Sequence, residues 1–208
     1  MSKAKGNQLY LVVDAMEPIF FVTSNPHKLE EANKALSAFS INLKMADCEK
    51  VEIQADSLSK IADYAATLAA KKLNAPVLVE DSGLFVKALG GFPGPYTSYV
   101  HKTIGCGGLL KLMASVAERR AVFRAAVVYA SPDLPPRLFN GNSYGNISQA
   151  VKVSQGFGFD PIFIHEECGG RTFAEISADE KTRLSHRGAA FRSFGEWYSG
   201  SQNSTSLK

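Results

Sequence analysis

Short apolar runs that stop abruptly at turn residues or at paired acids are what most restrict how this chain can fold. Pro18 to Thr23 (PIFFVT) is apolar and partly β-branched, so it reads as a buried strand, and Ser24, Asn25 and Pro26 follow it at once. A helix is expected next. Asn25 can cap it, Pro26 suits the first helical position, and Leu29, Ala32, Leu36 and Phe39 recur along one face. Ile41 to Met45 returns as a strand, and Asp56 or Ser57 caps a second helix, Leu58 to Leu73, with Leu58, Ile61, Ala65, Leu68 and Ala69 facing inward. Pro76 to Glu80 (PVLVE) is another buried strand that ends in the acidic pair Glu80-Asp81.

From Leu84 to Tyr96 the chain is punctuated by Gly90-Gly91, Pro93-Gly94 and Pro95, which demands tight turns before a helix near Gly108 to Ala117. Ala121 to Ala130 and Arg137 to Asn140 read as strands about a turn at Ser131 to Pro136. Helices and strands alternate early and strands cluster late. The expected class is therefore α/β, a mixed sheet flanked by helices, and not a pure doubly wound nucleotide fold.

With 208 residues and 45% hydrophobic content the chain can bury a full core, as one domain or two closely joined lobes. A net charge of +3 does not require a polyanion-binding surface, so local basic clusters matter more than the total. Cys48, Cys106 and Cys168 are widely separated and form no CxxC pair, which favours a reduced compartment. The apolar stretch Leu9 to Val13 is too short for a signal core or a membrane span, so a cytoplasmic protein is expected. Residues 1–17 read as an N-terminal extension and Ser199 to Lys208 as a flexible polar tail.

Four constellations could carry chemistry. In TSNPHK, Thr23, Ser24, Asn25, Pro26, His27 and Lys28 sit where a strand hands over to a helix, so unpaired amides, the positive end of the helix dipole, hydroxyls and a lysine converge as a phosphate cradle. No GxxxxGK[ST] loop occurs. Glu52, in VEIQAD, and Glu80-Asp81, in VLVEDSG, offer the hard oxygens with which proteins hold magnesium beside substrate phosphates. In GFGFDPIF the glycines let backbone approach a ligand, Phe157 or Phe159 can stack on a flat ring, and Asp160 can fix an edge or a loop.

The fourth constellation is SADEKTRLSHRGAAF. Ser177 and Glu180 form a capping box that starts a helix carrying Lys181. At about 100° per residue, Lys181 and His186 would lie roughly 140° apart on one continuous helix, with Arg187 roughly 240° round, and could not share a ligand. A break near Arg183 to Ser185 is therefore predicted, with Ser185 capping a new helix that brings His186 and Arg187 back toward Lys181.

Taken together, TSNPHKLEE, EIQAD, VEDSGLFVKALGGFPGPY, GFGFDPIF and TFAEISADEKTRLSHRGAA, in this order from residue 18 to 198, resemble the motifs of the inosine triphosphate pyrophosphatase family. The forms TSNP, EIQA and EDSGLF are similar to its archaeal type. The resemblance implies an elongated mixed sheet between two lobes, a central cleft that holds the active site, and a homodimer. It implies hydrolysis of ITP, dITP or XTP to the monophosphate and pyrophosphate, which clears such nucleotides from the pool.

By position the resemblance places Thr23 to Lys28 on the triphosphate and Glu52 and Asp81 on Mg2+, with Asp81 also the proton acceptor. Ser82, the run Phe157, Gly158, Phe159 and Asp160, Lys181, His186 and Arg187 go to the nucleotide. Two departures stand out: Ser98 replaces a basic residue that many relatives carry after the PGPY turn, and Lys60 is a poor stand-in for a lysine in the helix after the EIQA-like segment. A pyrophosphatase for modified pyrimidine triphosphates would share the phosphate chemistry with another base pocket. A nucleotide or RNA binding module without catalysis is the reading from a different class, and Glu52 and Asp81 are poorly placed for it. Neither a membrane nor a stable nucleic-acid partner is expected.

Overall fold

The computed structural model describes residues 19–152 and 156–205, so the expected N-terminal extension, Pro18 and residues 206–208 lie outside the described residues. The elements run β1 (Phe20–Phe21), α1 (Pro26–Leu36), β2 (Lys44–Met45), α2 (Leu58–Leu73), β3 (Val77–Val86), β4 (Pro93–Gly94), α3 (Thr97–Thr103) and α4 (Gly105–Leu112). They continue with β5 (Arg120–Ser131), β6 (Leu134–Ile147), β7 (Phe163–His165), α5 (Ala178–Leu184) and α6 (His186–Thr205). Strands form one seven-stranded sheet in the order β2-β1-β3-β5-β6-β7, with β4 on the far end of β3. The first pairings, β1 with β2 and with β3, are parallel, and the rest are antiparallel, which is the mixed sheet the sequence predicts.

Strand β3 does not stop at the acidic pair. It continues to Val86, pairing with β5 from Val77↔Ala130 to Val86↔Ala121, so Glu80 and Asp81 are strand residues. On its other edge β1 pairs as far as Leu78 and β4 begins at Leu84. Between these two points that edge of β3 has no strand partner among the described residues, and this gap is where the cleft opens.

The long strands carry separate cores at their two ends. At one end α1 and α6 cover one face, packing Ala32, Leu36, Phe191 and Phe194 on Phe21, Leu78 and Val127. Helix α2 covers the other face with Ala62, Ala66 and Ala70 against Val77, Val79 and Val128, its alanines allowing a close approach to the sheet. At the other end Leu84, Val86 and Phe123 pack with Leu109, Met113, Phe159, Phe163 and Phe173 in a second lobe. Two lobes on one elongated sheet are thus in place.

Several local expectations change. Helix α2 has the expected bounds, with Ser57 accepting from the Lys60 amide, but Leu68 faces solvent. The helix expected near Gly108 to Ala117 is replaced by α3 and α4, separated at Gly105, whose φ of +62° interrupts regular helix. Strand β6 is far longer than Arg137 to Asn140. Its inward positions include Gly141, Ser143 and Gly145, small because other chain crosses there: a Cβ on Gly141 would stand 1.9 Å from the His186 carbonyl oxygen. Helix α6 runs to Thr205, into the segment expected as a tail. Among the described residues no helix is long and apolar enough to cross a membrane.

Candidate active site

The turn after β1 folds as its sequence dictates. Asn25 leaves helical geometry, its Oδ1 accepts from the His27 amide at 3.0 Å, and Thr23 Oγ1 accepts from the Asn25 amide at 3.1 Å. Two amides expected to be open to phosphate are therefore engaged within the turn. What the turn offers the cleft is Ser24, Asn25, His27 and Lys28, with Thr23 behind them at the start of α1.

Lys28 Nζ sits 2.7 Å from Glu80 Oε2, and Arg187 Nη2 sits 3.0 Å from Glu80 Oε1. Burial would raise the Glu80 carboxyl, but Arg187 and Lys28 overcome this and hold it well below the usual carboxylate range. Its neighbour Asp81 points to the opposite side of the strand pleat and differs in character. Burial raises the Asp81 carboxyl above its ordinary value, although Lys50 and Lys28 oppose this, and its Oδ2 is buried with no hydrogen-bond partner. Lys50 Nζ bridges Glu52 Oε1 at 2.6 Å and Asp81 Oδ1 at 3.2 Å, so the two distant acids do face one cation.

At the other wall the predicted helix break is present. Helix α5 starts at Ser177, which accepts from the Glu180 amide, while the Glu180 carboxylate turns away to Arg171. Ser185 leaves helical geometry and its Oγ accepts from the Gly188 amide at 3.0 Å, capping α6. The break lets Lys181 and Arg187 meet on a common partner, Glu31 of α1. Lys181 Nζ is 2.6 Å from Glu31 Oε1 and 2.6 Å from Asp160 Oδ2, and Arg187 pairs with Glu31 and also donates to Ser82 at 3.2 Å. Burial raises the Glu31 carboxyl, yet Arg187 and Lys181 bring it down to about 2.

Arg187 is 2% exposed, and His186 is buried with its ring stacked on Phe123 at 4.8 Å and 10°. Burial, helped by Arg187, lowers the imidazole to about 3, so His186 is neutral at pH 7 and its Nδ1 has no partner. Of the two candidate stacking rings, Phe157 lies at the cleft, with Lys181 Nζ and Arg187 Cζ each 5.9 Å from its centroid. Phe159 is 1% exposed and packs edge-on with His101. Phe157 is therefore the less enclosed of the two rings, and Asp160 pairs with Lys181.

All the residues picked from sequence except Pro26 line one cleft of about 1490 Å³, together with Glu31, Glu80 and Lys50. Pro26, lacking an amide, opens α1 beneath it. Ser98 lines the cleft with His101 and Lys102, whereas Lys60 does not. Sequence reasoning missed Glu31 and Lys50. Glu31 follows Lys28 by three positions on α1, so helical spacing could have placed it on the same face. Lys50 lies in irregular chain, where no periodicity marks it.

Among the described residues no group of three or more His, Cys, Asp or Glu could hold a metal ion. The pair Glu52 and Asp81 nevertheless fits magnesium, which is commonly bound through one or two carboxylates plus substrate phosphates. A cation, the Lys50 ammonium, already stands between the two acids, and the buried Asp81 Oδ2 lacks a partner.

Comparison with known proteins identifies the family. The model of the Ham1 family matches residues 19–197. A dITP/XTP pyrophosphatase of Methanopyrus kandleri is 44% identical over 180 residues, covering 86% of this chain and 95% of the relative. One of Thermococcus kodakarensis is 46% identical over 177 residues, covering 85% and 95%. Both are archaeal, in keeping with the forms TSNP, EIQA and EDSGLF. The Ham1 protein of Staphylococcus aureus superposes with a TM-score of 0.78 at 27% identity, covering 89% of this chain and all of that one. With the family match, the mixed two-lobed sheet and the order of motifs all in agreement, the chain belongs to the Ham1 family.

Proposed function

We propose that this protein hydrolyses non-standard purine nucleoside triphosphates, ITP, dITP and XTP, to the monophosphate and pyrophosphate, and so cleans the nucleotide pool. The names of the relatives from Methanopyrus kandleri and Thermococcus kodakarensis support the reading. The observation that carries it is the composition of one cleft: Lys28, Lys181 and Arg187 line it together with an acid, Asp81, whose buried Oδ2 is unpaired.

In this reading Ser24, Lys28 and the N-terminal end of α1 take the phosphates. Asp81 orients the attacking water and accepts its proton; burial favours the protonated acid, which suits a carboxylate that must receive a proton. Glu52 and Asp81 would hold Mg2+, which when bound neutralises phosphate charge. Water attacks phosphorus at the cleaved bond in line with the leaving pyrophosphate, whose charge Lys28 and Lys181 stabilise, and no covalent enzyme intermediate is formed.

Selectivity is assigned to the six-position of the purine. Inosine and xanthosine carry a carbonyl acceptor there and adenosine an amino donor. Arg187 can only donate, and its Nε is buried without a partner; an adenine amino group facing it would leave donors unpaired. The proposal includes action as a homodimer, as the family resemblance implies, and in the cytoplasm, as the separated cysteines and the short apolar stretch Leu9 to Val13 suggest. Pyrophosphate release from ITP, XTP, dITP, GTP and ATP, with and without magnesium, tests it: turnover of the first three that needs the metal is expected, and equal turnover of ATP would refute it.

A further inference from the structure

The Lys50 ammonium has three donors, and each has an acceptor: Glu52 Oε1 at 2.6 Å, Asp81 Oδ1 at 3.2 Å and the Glu80 carbonyl oxygen at 3.2 Å. Its side chain is 14% exposed. The Glu80 carbonyl belongs to the stretch of β3 that lies between its pairings with β1 and β4, so Lys50 caps open sheet edge as well as both acids. We propose that Lys50 is a tethered counter-cation that holds the Glu52 and Asp81 pair together until a divalent ion arrives, and that the ion displaces its ammonium from the carboxylates into the phosphate cleft.

This rests on the reading of Glu52 and Asp81 as the metal pair. Glu52 lies in chain with no regular structure and is half exposed, whereas Asp81 is fixed in β3, so nothing in the secondary structure alone keeps the two together. Opposite charge from Lys50 does so. A magnesium ion stands about 2.0–2.1 Å from its oxygen ligands. Bound to the oxygens that Lys50 now contacts, it would bring two positive centres into direct contact, so occupancy by one excludes the other. Lys50 engages only Oδ1 of Asp81, and the buried Oδ2 has no partner, so it is left as a ligand for an incoming ion. The displaced ammonium would stay in a cleft it already lines with Ser24, Lys28 and Lys102, where bound phosphates would compete with Asp47 and Glu49 for it. It would thus supply a cation that Ser98 cannot.

Manganese binding to the full-length protein without nucleotide, followed by calorimetry and by the electron paramagnetic resonance of the free ion, tests the exchange. Lys50→Met is expected to bind Mn2+ at least about tenfold more tightly than the unsubstituted protein, since no ammonium has to leave. In EDTA it is expected to melt at a lower temperature, with Mn2+ narrowing the gap. Lys50→Gln, which keeps a polar end, gives the same reading and carries the test if the methionine variant does not fold. Equal or weaker Mn2+ binding by the variants, with clear binding by the unsubstituted protein, overturns the exchange and leaves the metal pair standing. Binding by none of the three proteins overturns the exchange and the metal reading together.

Discussion

Arg187 and Glu80 lie 107 residues apart in sequence and form a buried ion pair, with Nη2 3.0 Å from Oε1, that ties the start of α6 to the middle of β3. The pair is buried, and its surroundings answer most of its polar atoms: Lys28 meets the second Glu80 oxygen and Ser82 accepts from Arg187 Nη2, while Arg187 Nε stays without a partner. Glu80→Gln would leave the Arg187 guanidinium buried beside a neutral amide. The expected loss is about 3–5 kcal/mol of folding stability, measured by urea denaturation at pH 7. A loss below about 1 kcal/mol would mean that the second carboxylate, Glu31, balances Arg187 alone.

Acid should unfold the protein in two overlapping stages. His186 is lowered from 6.5 to about 3, so its contribution is complete above pH 6.5 and is lost as pH falls toward 3, when a buried imidazole must take on charge. Glu31 is lowered from 4.5 to about 2, so its contribution is complete above pH 4.5 and is lost as pH falls toward 2. Urea midpoints measured from pH 8 downward should begin to drop near pH 6.5 and steepen below 4.5. His186→Phe, which keeps a ring against Phe123, should flatten the upper stage and leave the lower one; an unchanged upper stage would assign it to another group.

Asp81→Asn should lower kcat by at least about a hundredfold if Asp81 is the proton acceptor. The fold should persist, because the amide oxygen can still accept from Lys50. Near-normal turnover, with an unaltered melting temperature, would remove Asp81 from that role.

Gly141 allows α6 to dock on β6. A Cβ there would stand 1.9 Å from the His186 carbonyl oxygen and 2.7 Å from the Ala190 amide nitrogen, both backbone atoms that cannot swing aside. Gly141→Ala should cost about 1–3 kcal/mol and displace His186 and Arg187 at the base end of the cleft. Stability from urea denaturation, and KM for ITP, should both worsen.

Sequence made the site's two helix starts legible because short-range rules govern them. Asn25 and Pro26 announce α1, and the angular mismatch between Lys181 and His186 requires the break that Ser185 provides. Helix α2 was equally plain, since its cap and its apolar stripe are local. Strand β6 was hidden because the middle of its buried face is Gly141, Ser143 and Gly145, which carry no hydrophobic alternation; α6 presses on Gly141 and β7 on Gly145. Glu31 and Lys50 acquire their parts from partners brought close by the fold alone. Glu31 meets Lys181, 150 positions later, and Lys50 meets Asp81, 31 positions later; helical spacing from Lys28 can give the face of Glu31, but no pattern of spacing gives either partner.

The cleavage point is tested most directly by separating the products of ITP incubated with the protein and magnesium. Inosine monophosphate and pyrophosphate in equal amounts are expected. Inosine diphosphate with orthophosphate would contradict the account, because the attacked bond would then be the outer one.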